Sequence, residues 1–235
     1  MTEVVTERAY DAEARRAREE RILDAAADLL QRLGYGRLTM DDVAAQAGIG
    51  KGTIYLHWKS REALFQAVLQ RELAVLLSEL AAAIRADPAN ALPHRLGRQY
   101  FLSIMRRPLL RAFFRMDREI MGKLTRLLRV REVQLSQLRS EFVDLLMEYG
   151  VARADLSTKD LTYAYRTIIV GFFLADPTFE DDQPALERKG ELLEMILLRA
   201  LGQDPHPPKQ AVRAIADHVL RLFSTATGSD DAAER

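Results

Sequence analysis

Two short helical patterns on either side of a glycine-bearing turn constrain the fold of this chain most. Thr39 and Asp42 have the spacing of a capping box at the start of a helix. Gly48 stands where a left-handed C-terminal cap is expected, and a helical pattern resumes over residues 51–58. Two short helices joined by such a tight turn predict a helix-turn-helix.

The second of these helices carries an unusual set of side chains. Ile54 and Trp58, four residues apart, are expected to pack inward. The side chains expected to point mostly outward are Lys51, Gly52, Thr53, Tyr55, His57 and Lys59, a set without a carboxylate, which suits a polyanion. The candidate DNA-contacting residues are Thr39, Gly50, Lys51, Gly52, Thr53, Tyr55, His57 and Lys59. We expect Tyr55 and Lys59 to hold phosphates, and Lys51, Thr53 and His57 to reach base edges.

Two nucleotide-binding interpretations of the same segment conflict with its residues. A P-loop requires Gly-Lys followed directly by Ser or Thr after a strand, but here Gly52 intervenes. A dinucleotide-binding fingerprint would require glycine in place of Thr53. Two packed helices of an ordinary bundle remain an alternative, with Tyr55 half-buried at the rim of the small domain.

The longer run over residues 38–65, LTMDDVAAQAGIGKGTIYLHWKSREALF, resembles the DNA-binding segment of the TetR family of transcriptional regulators. The resemblance rests on Thr39, Val43, Ala44, Ala47, Gly48, the run KGTIY at 51–55, Trp58, Lys59 and the run SREALF at 60–65. It implies a DNA-binding helix-turn-helix followed by a long linking helix. It also implies a helical domain that dimerises and usually binds a small effector.

Composition favours an all-α chain and excludes several chemistries. Leu, Ala, Arg and Glu dominate, and β-branched residues are sparse. The 34 basic and 34 acidic side chains balance, so an interaction with nucleic acid must come from local clustering. Without cysteine there is no disulfide or thiol chemistry. Because the four histidines are scattered and no nucleophile motif is present, we expect no catalytic residue, metal site or cofactor.

The apolar periodicity predicts two folded domains. We expect a disordered arm over residues 1–14, a three-helix helix-turn-helix domain over 15–60, a helical regulatory and dimerisation domain over 61–224, and a flexible tail over 225–235. A helix over residues 61–85 keeps its apolar period beyond what the small domain can cover. This helix is predicted to link the two domains.

Two features of the large domain predict binding partners. Residues 158–175 and 185–201 are apolar nearly all round, which predicts a four-helix interface between two copies of the chain. Aromatic and methionine side chains suit a pocket for a hydrophobic effector, although filling the core is the alternative for each one. These candidates are Phe101, Met105, Phe113, Phe114, Met121, Phe142, Tyr165 and Phe172.

The expected function follows from these features and from the resemblance. It is a ligand-responsive DNA-binding regulator, a repressor that binds a palindromic operator as a homodimer and is released by a small hydrophobic effector. The first twenty residues lack the apolar core of a signal peptide and no apolar run is long enough to span a membrane, so we expect a cytoplasmic protein without a membrane partner. The alternative is an all-helical small-molecule carrier or hydrolase that does not bind DNA.

Overall fold

The computed structural model describes the backbone of residues 2–115, 132–175, 183–204 and 206–227, and the side chains of residues 13–111, 140–175, 183–204 and 206–227. Within these ranges the fold is all-α, as predicted, and the only β-type pairing is an isolated bridge between Ala152 and Gly202. None of the helices in these ranges is long and apolar enough to cross a membrane. The helices are α1 (Thr2–Leu33), α2 (Met40–Gln46), α3 (Lys51–His57), α4 (Arg61–Ala86), α5 (Pro93–Met105), α6 (Pro108–Arg115), α7 (Glu132–Glu148), α8 (Thr158–Ala175), α9 (Leu186–Leu201) and α10 (Lys209–Thr227).

The chain divides into two compact units, Met1–Glu72 and Leu73–Arg235. The division falls within α4, whereas the sequence pattern placed the boundary at residue 60. Ser60 caps this helix, because its Oγ accepts a hydrogen bond from the backbone N–H of Ala63 at 3.2 Å. The first turns of α4 therefore complete the core of the N-terminal unit.

A small aliphatic core holds the N-terminal unit together. Ile22 of α1, Val43 of α2 and Ile54 of α3 are fully enclosed, and Leu64 of α4 is 1% exposed. Burial of each such side chain contributes about 1.5–3 kcal/mol of transfer free energy. The inward positions predicted from the helical period thus form one shared core.

The start of α1 differs from the prediction. The polar, aperiodic composition of residues 1–14 suggested a disordered arm, yet the helix begins at Thr2. Residues 7–20 consist almost entirely of Ala, Glu, Arg and Asp, and the first three of these are strong helix formers that need no buried face to propagate a helix. Helix propensity therefore extends α1 in the N-terminal direction beyond its apolar stripe.

Close packing of α5 against α9 organises the C-terminal unit. A Cβ atom added at Gly97 of α5 would lie 2.5 Å from Cδ1 of Leu197, and one at Gly190 of α9 would lie 3.0 Å from the side chain of Leu102. Each helix thus presents a glycine to a leucine of the other. One face of α9 is consequently buried within its own chain.

The segment between α7 and α8 is tied to the end of α9. Arg153 N–H donates to the carbonyl of Leu201 at 3.0 Å, and Gln203 N–H donates to the carbonyl of Val151 at 2.9 Å. Ser157 caps α8, because its Oγ accepts from the N–H of Asp160 at 3.1 Å and donates to that carboxylate. These bonds fix one wall of the cavity described below.

Candidate functional site

The turn between α2 and α3 has the geometry that its sequence predicts. Thr39 Oγ1 accepts from the N–H of Asp42 at 3.2 Å, and the Asp42 carboxylate accepts from the N–H of Thr39 at 3.1 Å, which is a complete capping box. Gly48 has φ +66°, with its N–H on the carbonyl of Ala45 and the N–H of Ile49 on that of Ala44. This pair of bonds is a Schellman motif, which ends α2 and starts the turn.

The outer face of α3 is the candidate DNA-contacting surface, which we call the α3 face. It consists of the exposed residues Lys51, Gly52, Tyr55 and Leu56 of α3, the partly exposed Thr53, the exposed Lys59 just after the helix, and Gly50 at the N-cap. Tyr55 is 37% exposed and Leu56 is 73% exposed. A Cβ atom at Gly52 would meet no atom within 4 Å, so this part of the helix is open to close approach by a partner.

Leu56 is a member of the α3 face that sequence reasoning missed. Its position two residues after Ile54, about 200° further round the helix, places it opposite the core. Helical geometry alone could have found it, but the search for polar contacts passed over a leucine. A large apolar side chain held in solvent on this face can contact the methyl group of thymine.

An acidic residue borders the α3 face, although the sequence of α3 contains none. Asp41 of α2 accepts a hydrogen bond from Lys51 Nζ at 2.9 Å, and this bond raises the pKa of Lys51. Lys59 forms no ion pair with any residue whose side chain the structure describes. Of the two lysines, Lys59 is therefore the one whose charge is not already matched.

The position of His57 corrects its assignment to the exposed set. Its side chain is 6% exposed, and its Nδ1 lies 2.9 Å from Oε1 of Glu19 on α1. His57 follows Ile54 by three positions, so the two side chains are neighbours on the helix surface, and both are turned toward the core. Burial raises the pKa of Glu19, but hydrogen bonds from His57 and Arg15 outweigh burial and hold the pKa below its ordinary value. His57 thus joins α3 to α1 rather than facing a ligand.

Arg61, at the start of α4, has a structural role. Its guanidinium donates to the backbone carbonyls of Tyr35 and Leu38 at 3.3 and 3.2 Å. The same group lies 4.3 Å from the centre of the Tyr35 ring. These contacts attach the start of α4 to the loop that precedes α2.

A cavity of about 340 Å³ lies in the C-terminal unit, bounded by α5, α7, α8, α9 and α10. Its walls are mostly apolar, and two of the residues predicted to bind ligand, Phe142 and Tyr165, line it. The polar residues His94, Thr162, Arg166 and Asp204 also line it, and no sequence pattern indicated them. Among the described residues there is no group of three or more His, Asp or Glu that could hold a metal ion.

Three other residues predicted to bind ligand, Phe101, Met105 and Phe172, do not line this cavity. Phe101 is fully buried, and Met105 is 6% exposed. The ring of Phe101 lies 5.9 Å from that of Phe172, since α5 packs directly on α8 at this level. Phe101 and Met105 fill the core, as the alternative interpretation allowed, and Phe172 is half-buried beside Phe101. The side chains of Phe113 and Phe114, and all of Met121, lie outside the described residues.

The fold and the α3 face define a class of protein, a two-unit helical chain with an N-terminal helix-turn-helix. Comparison with known proteins is consistent with this class. The family model for bacterial regulatory proteins of the tetR family matches residues 22–68. Residues 22–68 of the chain are therefore similar to the corresponding segment of the tetR family.

Individual relatives support the same assignment. The HTH-type transcriptional activator FasR of Mycolicibacterium smegmatis is 36% identical over 73 residues, which are 31% of this chain and 33% of FasR. The HTH-type transcriptional repressor KstR of the same organism is 27% identical over 157 residues, 64% of this chain and 76% of KstR. The chain spans about a third of the length of the first curated relatives that it matches, between 30% and 35%.

A solved structure shows the same fold over most of the chain. The complex of SmeT with triclosan superposes with a TM-score of 0.59, covering 82% of this chain and 96% of SmeT at 21% identity. SmeT is the repressor of the multidrug efflux pump SmeDEF of Stenotrophomonas maltophilia. The likeness therefore extends from the helix-turn-helix into the C-terminal unit.

Proposed function

We propose that this chain is a ligand-responsive, DNA-binding transcriptional regulator that acts as a homodimer. The observation that carries the proposal is the α3 face. A buried Ile54 and a capped, glycine-terminated turn hold this short helix in place, while lysine, hydroxyl and small residues stay in solvent. Such a helix fits the major groove, whose width admits an α-helix.

Each exposed residue of the α3 face has a role in the proposed complex. Lys59 and Tyr55 contact phosphates, and Lys51 and Thr53 reach base edges. Lys51 exchanges its bond with Asp41 for a bond to DNA, so its net contribution to affinity is smaller than that of Lys59. The glycines at 50 and 52 allow the backbone to approach the duplex. Thr39 is exposed at the start of α2, next to this face.

The proposed dimer uses the outer faces of α8 and α9. Tyr163, Val170 and Leu174 of α8 are 73%, 48% and 51% exposed, and their spacing of seven and four residues places them on one helical face. Met195 and Ile196 of α9 are 47% and 36% exposed. Large apolar side chains grouped on neighbouring helices mark an interaction surface. A twofold pairing of two such helix pairs forms a four-helix interface.

Twofold symmetry determines the form of the operator. Two copies of α3 related by a dyad read a palindrome, with half-site centres separated by about 34–36 Å or a multiple of that distance. FasR is named an activator, whereas KstR and SmeT are named repressors. We propose repression for this chain, in agreement with the latter two.

Ligand responsiveness is proposed from the cavity in the C-terminal unit. SmeT has been crystallised with triclosan, which is a property of that protein and supports a ligand site in this fold. Here the cavity of about 340 Å³ is within the size range of small-molecule sites. A ligand releases DNA only if it prefers a state of the dimer that does not fit the operator.

The proposal is tested by selecting bound fragments from random double-stranded DNA with the full-length chain. We expect enrichment of one palindromic sequence. The double variant Lys51→Glu and Lys59→Glu should enrich nothing, while Lys209→Glu, which reverses one exposed lysine of α10, should behave as the wild type. Failure of the wild-type chain to enrich any sequence would favour the alternative of a carrier or hydrolase without DNA binding.

A further inference from the structure

We propose that the cavity in the C-terminal unit binds an uncharged, mostly apolar molecule with one hydroxyl group, an alcohol or a phenol, which His94 and Tyr165 hold. This inference rests on the proposed ligand response and names the chemical class of the effector. The cavity walls include Phe142, Leu146, Val151, Leu161, Leu201 and Phe223. Burial of an apolar ligand against them supplies the affinity, and the few polar groups set its orientation.

His94 is the first of these polar groups. It follows Pro93 at the start of α5, is 8% exposed, and lines the cavity. His94 forms no hydrogen bond with any residue that the structure describes. Every fully enclosed side-chain nitrogen of the described residues has a hydrogen-bond partner, so the ring nitrogens of His94 are not fully enclosed. The ring nitrogens of His94 therefore open onto free space. A ligand atom placed in that space can hydrogen-bond to one of these nitrogens.

The protonation state of His94 indicates which ligand atom suits it. Burial lowers its pKa, as does Arg95, while Glu194 acts in the opposite direction. The imidazole is therefore neutral at pH 7, with one N–H donor and one acceptor nitrogen. A hydroxyl group can accept from the first or donate to the second, whichever tautomer is present. The N-terminus of α5 has no side-chain cap, and its partial positive charge also favours an oxygen atom.

Tyr165 supplies the second polar group beside His94. Its hydroxyl donates to the backbone carbonyl of Pro93, the residue before His94, at 3.4 Å. This distance is long for an O–H···O bond, so the hydroxyl can turn to a ligand at little cost. Burial raises the pKa of Tyr165, and nearby Tyr100 adds to the effect, so the group remains a phenol and a donor. A ligand oxygen near Pro93 is thus within reach of both side chains.

The charges near this end of the cavity argue against an ionised ligand. Glu194, whose charge acts on His94, is paired with Arg98 at 3.0 Å. Arg166 and Asp204, which also line the cavity, have opposite charges. A carboxylate placed beside His94 would lose its hydration next to a neutral imidazole and would come near the negative charge of Glu194. An uncharged hydroxyl avoids that loss.

Calorimetric titration with three probes tests the chemical class. The probes are 4-hexylphenol, hexylbenzene and 4-hexylbenzoate, which share one apolar body and differ only at one end. We expect 4-hexylphenol to bind about tenfold more tightly than hexylbenzene, which corresponds to one net hydrogen bond, and 4-hexylbenzoate to bind more weakly than 4-hexylphenol. Equal affinity for the first two, tightest binding of the benzoate, or no binding of any probe overturns the inference.

Variants test the two side chains. His94→Phe keeps the ring but removes its nitrogens, so the preference for the phenol should fall to about twofold or less. His94→Gln keeps a donor and an acceptor and should keep the preference. His206→Phe, at an exposed histidine, is the matched control and should change nothing. Tyr165→Phe should reduce the preference, and it decides the matter if His94→Phe does not fold.

Binding of each protein to the duplex selected above is measured in the absence of probe. A phenol preference that His94→Phe leaves unchanged, together with intact DNA binding, overturns this inference but not the proposed regulator. A preference that depends on His94 in a chain that binds no DNA supports the cavity assignment and contradicts the proposed regulator. The two proposals therefore fail separately.

Discussion

Replacing Lys59 by alanine should weaken DNA binding and reduce its dependence on salt. Lys59 is exposed and has no acidic partner among the described side chains, so its ammonium group is available to a phosphate. Each phosphate contact contributes about 0.9 to the slope of log affinity against log salt concentration. A dimer carries two copies of Lys59, so the slope should fall in magnitude by about 1.8. Between about 50 and 200 mM salt, the wild type should then lose about tenfold more affinity than the variant.

Fluorescence anisotropy with the selected duplex, repeated with a scrambled duplex, measures this effect. The loss should be similar for both duplexes, because phosphate contacts are independent of sequence. Lys51→Ala should change the slope less, since Asp41 already matches that charge. Lys209→Ala on α10, which removes the same charge elsewhere, is the control and should leave the slope unchanged. A wild-type slope in Lys59→Ala would refute the phosphate contact.

Four further predictions follow from the same structure. Thr39→Ala removes the capping box and should destabilise the N-terminal unit by about 1 kcal/mol, measured by urea unfolding with fluorescence of Trp58, the only tryptophan in the chain. The folded pKa of Glu19 lies below its ordinary value of 4.5, so the stability that Glu19 contributes is present above that pH and is lost as the pH falls. The urea midpoint of Glu19→Gln should therefore fall less between pH 5 and pH 3 than the midpoint of the wild type. Replacing a contacted thymine of the operator by uracil should cost the wild type about fourfold in affinity, the value of one buried methyl group, and should cost Leu56→Ala nothing. Val170→Glu places a charge in the proposed dimer interface and should give monomers at micromolar concentration in sedimentation, whereas Lys209→Glu, at an exposed lysine of α10, should remain dimeric.

Local signals in the sequence predicted the elements that hold the α3 face. The capping box at Thr39, the left-handed Gly48 and the cap at Ser60 each depend on residues within a few positions of one another. A short-range hydrogen bond leaves a short-range pattern, so it can be identified without knowledge of the fold. The buried position of Ile54 likewise follows from helical periodicity.

Long-range contacts were not predicted, for a physical reason. His57 is hydrogen-bonded to Glu19, which is 38 positions away in the sequence, and Arg61 donates to the carbonyl of Tyr35, which is 26 positions away. Nothing in the neighbourhood of either residue indicates these partners, and the side chain of His57 was therefore assigned to the surface. The Asp41 carboxylate beside Lys51 was missed similarly, because the charge of α3 was judged from its own residues.

The cavity was the least predictable part of the chain. Phe101 and Phe142 are the same residue type and were selected for the same reason, yet Phe101 fills the core and Phe142 lines the cavity. The difference depends on how α5 and α8 pack, and two glycine contacts with leucine determine how closely α5 approaches α9. His94 became visible only when its burial and its lack of a hydrogen-bond partner were known.

Hydrogen–deuterium exchange of the full-length chain, with and without the selected duplex, tests the central claim most directly. If the α3 face contacts DNA, peptides that cover residues 49–60 should be protected by the selected duplex and much less by a scrambled one. The Lys51→Glu and Lys59→Glu double variant should show no such protection. Protection confined to residues outside 39–60, with none on α3, would contradict the account.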